Sequence, residues 1–356
     1  MLIFDAHLDL SMNALEWNRD ITLPLEDVRR RERFQGDKID RGHGVCTLPE
    51  MRRGKIGLCI ATQIGRYVTP DNPRPGWHSP EIAWAMTQGQ LAWYRAMEDA
   101  GQMFQITNQA GLKKMVDLWA GKPPANAPIG YVLSLEGADS IVKLSYLETA
   151  WAYGLRAIGP AHYGPGRYSP GTHASGGLTP AGREFVKEMQ RLGIVLDVTH
   201  LTDDAFWECM ELYDGPLWAS HSNCRAIVPE QRQHTDEQIK ELIRRDAVMG
   251  MAFDAWMMIP GWIRWATMPF DKNLQIEQIA LHIDHIAQLA GNVRHIGIGS
   301  DLDGGYGTEQ TPTDLQSIAD LQKLTGILES RGYSQADIVA IMHGNWIRKL
   351  SEVLPE

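Results

Sequence analysis

The chain has no apolar run approaching the ~18 residues that cross a bilayer, so no membrane partner is expected. Cysteine is scarce. Cys46, Cys59, Cys209 and Cys224 stand far apart and form no C-x-x-C pair. This argues against a disulfide framework and reads as reduced, buried thiols in a cytoplasmic protein. Positive charge is in deficit, with 34 Lys and Arg against 44 Asp and Glu and a net charge of −10. A phosphate backbone would be repelled, so no nucleic-acid partner is expected. No basic segment with an apolar h-region precedes the first apolar stretch, and no apolar tail of lipid-anchor type follows Ser351. Internal repeats and low-complexity segments are absent. The first strand candidate also lacks the Gly-rich turn that opens a dinucleotide-binding sheet.

What is present is an ordinary globular composition, 44% apolar and 22% charged over 356 residues. Eight short, mostly apolar runs begin at Leu2, Lys55, Ile129, Leu155, Ile194, Pro216, Ala247 and His295. Near-continuous apolar strands are those buried on both faces of a parallel sheet. Helical segments separate them. Ser79-Pro80 and Thr179-Pro180 supply a cap followed by proline at the first helical position, and Thr235-x-x-Gln238 reads as a capping box. Helices are also expected at Leu112–Trp119, Tyr146–Tyr153, Asp203–Leu212, Glu277–Ala290, Thr313–Glu329 and Ser334–Leu350. The alternation predicts a (β/α)8 TIM barrel, with residues 1–356 forming one domain. The charged stretch Glu26–Arg41 reads as a solvated face. The apolar segment Trp256–Trp265 leaves three uses open: a lid, a dimer contact, or packing beneath a loop.

Six of these strand candidates end in side chains of metal-site or acid–base type: His7 and Asp9, Glu136, His162, His200, His221, and Asp301. In a parallel barrel the strand C-termini share one face, where catalysis occurs. Each residue alone has a bland reading. A strand-end histidine is commonly a hydrogen-bonded structural group, and Glu136 alone is a plausible helix cap. Gathered together, so many ionisable groups would each carry a desolvation cost of several kcal/mol unless a cation offset it. A pair of divalent ions sharing one carboxylate does so. Asp5 and Asp197 are expected to point away from this face, with Asp197 available to orient a histidine, and Asp303 to act in a turn.

The pieces Asp5-Ala-His7-Leu-Asp9-Leu10, Ser134-Leu-Glu136-Gly137, Gly177-Leu-Thr-Pro-Ala-Gly182, Asp197-Val-Thr-His200, Ala219-Ser-His221-Ser222-Asn223 and Gly297-Ile-Gly-Ser-Asp301-Leu-Asp303-Gly304 occur in order along most of the chain. With them the chain resembles the membrane dipeptidase (renal dipeptidase) family of the metal-dependent amidohydrolase superfamily. The resemblance implies a zinc-dependent dipeptidase with two Zn²⁺ ions, although the same ligand types take Mn²⁺, Co²⁺ or Fe²⁺. It places His7 and Asp9 on one zinc, His200 and His221 on the second, and Glu136 between them. A hydroxide bridging the metals would attack the peptide bond, His162 would hold the carbonyl oxygen, and Asp301 would carry the proton to the leaving amine. Arg232 would pair with the substrate's C-terminal carboxylate. A small peptide substrate and a homodimer follow from the same likeness.

Two places depart from the family pattern. The run Glu230-Gln231-Arg232-Gln233 keeps the arginine in a changed setting, and Arg225 is a rival for its role. Asp254 stands where the family often has tyrosine, and an acid there would bind an amino group or repel a carboxylate. These departures keep a second enzyme reading open, N-acyl-amino-acid hydrolysis on the same metals. A non-catalytic metal-binding barrel is the third, and an intact Asp301 argues against it.

Overall fold

In the computed structural model, which describes residues 1–70 and 72–356, the apolar runs form parallel strands and the intervening segments largely form helices. The strands are β1 (Ile3–Leu8), β2 (Ile56–Ile64), β3 (Met103–Gln105), β4 (Ile129–Glu136), β5 (Leu155–Gly159), β6 (Val195–Asp197), β7 (Leu217–Trp218), β8 (Met249–Met251) and β9 (Ile296–Ile298). Hydrogen bonding runs β7-β6-β5-β4-β2-β1-β9-β8. Ala219 closes the ring against β8, donating its N–H to Val248 O (3.0 Å) and accepting from Gly250 N (2.8 Å). The result is a (β/α)8 TIM barrel of eight sequence-ordered strands. All eight residues of β4 and all nine of β2 are buried, as strands covered on both faces must be.

β3 is additional. Three residues long, it pairs with the start of β4, where β5 has not yet joined that strand's edge. So short a segment carries no periodicity to read. The helix expected from Thr313 instead begins as a 3-10 turn at Ile318 and continues over Lys323–Ser330. Ser317 and Asp320 cap it reciprocally, and Thr313 is held outside it by donating to Leu274 O at 2.8 Å. Elsewhere the helix signals match the structure: Pro80–Asp99, Pro180–Leu192 and Asp236–Arg244 start at the expected caps.

The charged stretch Glu26–Arg41 is not a solvated face throughout. Its helix Leu25–Glu32 turns Glu32 inward, where it accepts from Arg19 Nε (2.8 Å) and Arg41 Nη1 (2.7 Å), while Arg19 also reaches Asp40 (2.9 Å). Glu32 and Asp40 are buried because these guanidiniums meet them. Asn13, which accepts from Arg19, donates to Asp303 O, and the Asp303 carboxylate accepts from Val45 N and Cys46 N. The network ties this excursion to the loop after β9, so it helps build the barrel mouth.

Candidate metal centre and substrate cavity

The strand ends deliver their polar side chains in a consistent way. His7 lies within β1, Asp9 just beyond it, and Glu136 is the last residue of β4. His162, His200, His221 and Asp301 each stand three residues past the end of β5, β6, β7 and β9. There the backbone leaves the ladder and turns inward. His200 (φ +69°), Asp301 (φ +60°) and Asp303 (φ +62°) occupy the left-handed region, which costs a non-glycine residue on the order of 1–2 kcal/mol. Gly304 makes the turn after Asp301 feasible, since a Cβ there would lie 2.1 Å from Asp301 Oδ1.

Glu136 is the hub. Its Oε2 is 3.7 Å from His7 Nε2, and its Oε1 is 3.1 Å from His200 Nε2 and 3.4 Å from His221 Nε2. Asp9 and Asp301 each place a carboxylate oxygen 3.8 Å from His7 Nε2. His162 Nε2 lies 3.8 Å from Glu136 Oε1. These atoms form overlapping groups of three, each compact enough to share an ion.

The hydrogen bonds around the histidines decide which ring atom faces inward. Thr172 Oγ1 pairs with His200 Nδ1 and Ser220 Oγ with His221 Nδ1, both at 2.8 Å. Each Nε2 is thereby turned toward the centre, and His7 Nε2 is buried without a hydrogen-bond partner. His200 and His221 bring their Nε2 atoms within 3.2 Å. Two imidazole nitrogens this close can ligate a single cation. Burial pushes Glu136 and Asp301 well above the usual carboxylate range, and nearby Asp9 adds to both shifts. Burial likewise raises Asp9 to about 6 and lowers His7 to about 3. Neutral imidazoles and crowded carboxylates form the donor set that suits divalent ions.

His162 is oriented differently. An Arg66 Nη2–H donates to its Nδ1, which leaves Nε2 as the protonated nitrogen facing the cavity. A ring in that tautomer donates a hydrogen bond through Nε2 in place of coordinating there.

A cavity of about 460 Å³ opens over this cluster. Arg232, Asp254 and Asp301 line it. Arg232 is buried, with Nη1 on Ser222 Oγ (2.7 Å) and Nη2 on His221 O (2.8 Å), and its Nε has no partner. Arg225 lies elsewhere: it forms a two-pronged pair with Asp203, both contacts at 2.8 Å. Asp254 accepts from Trp256 Nε1 (2.6 Å) and Gln310 Nε2 (2.8 Å), and burial raises its carboxyl to about 6. Of the segment Trp256–Trp265, Met257, Arg264 and Trp265 form cavity wall.

Asp5 points inward too. It shares the parity of His7 on β1, and its carboxylate accepts from Ser300 N (2.8 Å) and His7 N (3.2 Å), bracing β1 to the turn after β9. Asp197 accepts from Thr199 N and Ser220 N, both at 3.0 Å, and so aligns the backbone leading to His200 and His221. Arg66, Tyr163 and Arg264 also line the cavity and were not expected from sequence. They sit in loops, where no periodicity marks a side chain's direction. The available signals were the position of Arg66 and Tyr163 shortly after a strand end, and for Arg264 its place in the apolar segment Trp256–Trp265.

The family model for membrane dipeptidases (peptidase family M19) matches residues 1–354. An uncharacterised protein of Klebsiella pneumoniae is 31% identical over 216 residues, covering 58% of this chain and 75% of that one. A dipeptidase of Claviceps purpurea is 28% identical over 235 residues, 63% of this chain but only 52% of that longer protein. A solved structure described as a metallopeptidase dipeptidase of family M19 superposes with a TM-score of 0.81 at 25% identity, covering 100% of this chain and 99% of the other.

Proposed function

Since the chain belongs to the membrane dipeptidase family of metallopeptidases, we propose that it hydrolyses the peptide bond of dipeptides bearing a free C-terminal carboxylate. One observation carries the reading. Glu136 directs one carboxylate oxygen at His7 and the other at His200 and His221, as a group shared by two ions must. His7 and Asp9 would hold one divalent ion and His200 and His221 the second, with zinc the first candidate. Ions held there supply Lewis acidity, which polarises an amide carbonyl and lowers the pKa of water.

The side chains account for the rest of the chemistry. His162 donates its Nε2–H to the carbonyl oxygen as negative charge develops there. Asp301 takes a proton from water and gives it to the leaving amine, a role suited to a carboxylate on the cavity wall 3.8 Å from His7 Nε2. Arg232 offers its unpartnered Nε edge to the terminal carboxylate, whereas Arg225 is already committed to Asp203. Asp254 bounds the same cavity as a substrate-facing acid. The four free, buried cysteines fit a cytoplasmic setting. We further read residues 1–356 as one functional unit that pairs as a homodimer, which sedimentation would establish.

The test is elemental analysis alongside a dipeptide assay. Purified protein should carry close to two divalent ions per chain and release free amino acids. Glu136→Gln should bind at most one ion and lose activity. Wild-type protein that holds no metal and cleaves no dipeptide would overturn the reading.

A further inference from the structure

Three arginines line the cavity, and in each the buried Nε lacks a hydrogen-bond partner: Arg66, Arg232 and Arg264. Arg66 is occupied with His162 and Pro75 O, and Arg232 has the terminal carboxylate assigned to it. Arg264 has no assigned work. It is half-buried, and its guanidinium carbon lies 5.1 Å from the Trp256 ring, 5.3 Å from Trp265 and 5.8 Å from Tyr163. Among the described residues its one side-chain hydrogen bond goes from Nη1 to Tyr163 Oη, at 3.2 Å. Among the described residues no carboxylate comes within 4.0 Å of it. A guanidinium has five N–H donors, so this aromatic enclosure holds a cation with most of its donors unspent.

Its place in the cavity is fixed by Tyr163, whose ring stacks edge-on against His162 (4.9 Å) and lies 5.1 Å from His200. Arg264 is therefore one side chain away from the reacting centre. Arg232, Arg264 and Asp301 line the same cavity. On the dipeptidase reading the leaving amine belongs beside Asp301 and its carboxylate beside Arg232. Asp9, Glu16, Trp17 and Lys38 also line this cavity.

Resting on the dipeptidase reading, we infer that the leaving half of the cavity is built for a residue with two carboxylates. In an X-Asp or X-Glu dipeptide the main-chain carboxylate meets Arg232 and the side-chain carboxylate meets Arg264. Asp254 is the competing charge there. Its oxygens accept short bonds from Trp256 and Gln310 and, among the described residues, none from Arg264, whose remaining donors stay free. Hydrogen-bond accounting thus favours an anionic ligand group over a cationic one.

Ala-Glu and Ala-Gln differ only in the side-chain charge and make the test. Wild-type enzyme should show a kcat/KM about 10- to 100-fold higher for Ala-Glu, the range expected for a hydrogen-bonded charge pair. Arg264→Gln should lose most of that ratio while lowering the Ala-Gln rate by less than about threefold. Calorimetric binding of the two uncleaved dipeptides to Asp301→Asn should show the same preference, and this readout does not depend on turnover. Equal rates on both substrates, a faster Ala-Lys, or an Arg264→Gln loss shared by both substrates would overturn the inference. Preferential binding of Ala-Glu without cleavage of any dipeptide by wild type would leave the subsite standing and overturn the proposed activity.

Discussion

Asp301 Oδ1 stands as far from His7 Nε2 as Asp9 Oδ1 does, 3.8 Å in each case, so distance alone does not separate a proton carrier from a ligand. Replacement does. Asp301→Asn should keep its full metal content and lose about 10²- to 10⁴-fold in kcat, the contribution of a placed acid–base group. A drop in bound metal would make Asp301 a ligand instead. Arg66 allows a second separation at the same scale. Its hydrogen bond to His162 Nδ1 fixes which ring nitrogen faces the substrate. Arg66→Met should lower kcat about 10- to 100-fold with metal content intact, as loss of a supporting hydrogen bond does. Unchanged kcat would leave His162 without need of that partner. The ligand-type residues were legible in the sequence because each terminates an apolar run. Arg66 was not, because nothing in Gly65-Arg66-Tyr67 states which way the side chain turns.

At the scale of elements, the barrel mouth is made by segments that carry no strand or helix pattern. Asp139, in the 3-10 turn Ala138–Ser140 after β4, gathers two of them by accepting from Tyr67 N (3.2 Å) and Arg167 N (2.8 Å). Burial raises its carboxyl to about 6. An unfolded chain would ionise it near pH 4, so between these values the native state holds a proton the unfolded state has lost. Stability from this group therefore falls as pH rises from about 4 to 6, by up to about 3 kcal/mol. Asn cannot ionise, so the stability of wild type relative to Asp139→Asn should decline across that window. Urea unfolding at pH 4.5 and pH 7 measures it, and a constant difference would show that the two backbone donors fully offset burial. The stretch Glu26–Arg41 teaches a related lesson. Its charges suggested solvent exposure, but whether a charge is buried depends on partners such as Arg19, which lies outside that stretch.

For the whole molecule, the metal centre joins residues from β1 to the loop after β9, so ions held there bind the native state and not the unfolded chain. Binding at 100 times Kd stabilises by about 2.7 kcal/mol per site. Chelation should therefore lower Tm by several degrees, and Glu136→Gln should show a smaller drop than wild type. Scanning calorimetry with and without chelator reads both. A chelator-insensitive Tm in metal-loaded protein would argue against ions spanning these strands.

The sequence by itself determined the eight barrel strands and their order, the main helix caps, and the residue types at the strand ends, because burial on both faces and capping are local and leave local patterns. The three-residue β3 and the start of the helix after Ser317 escaped it, being too short or set by contacts with distant chain. Only the folded barrel decided that Asp5 braces β1 to the turn after β9, that Arg232 and not Arg225 reaches the cavity, and that Arg264 stands beside Tyr163 with no carboxylate within 4.0 Å among the described residues. Those outcomes depend on which groups meet across the ring, and a side chain's partner in space is not encoded in its neighbours along the chain.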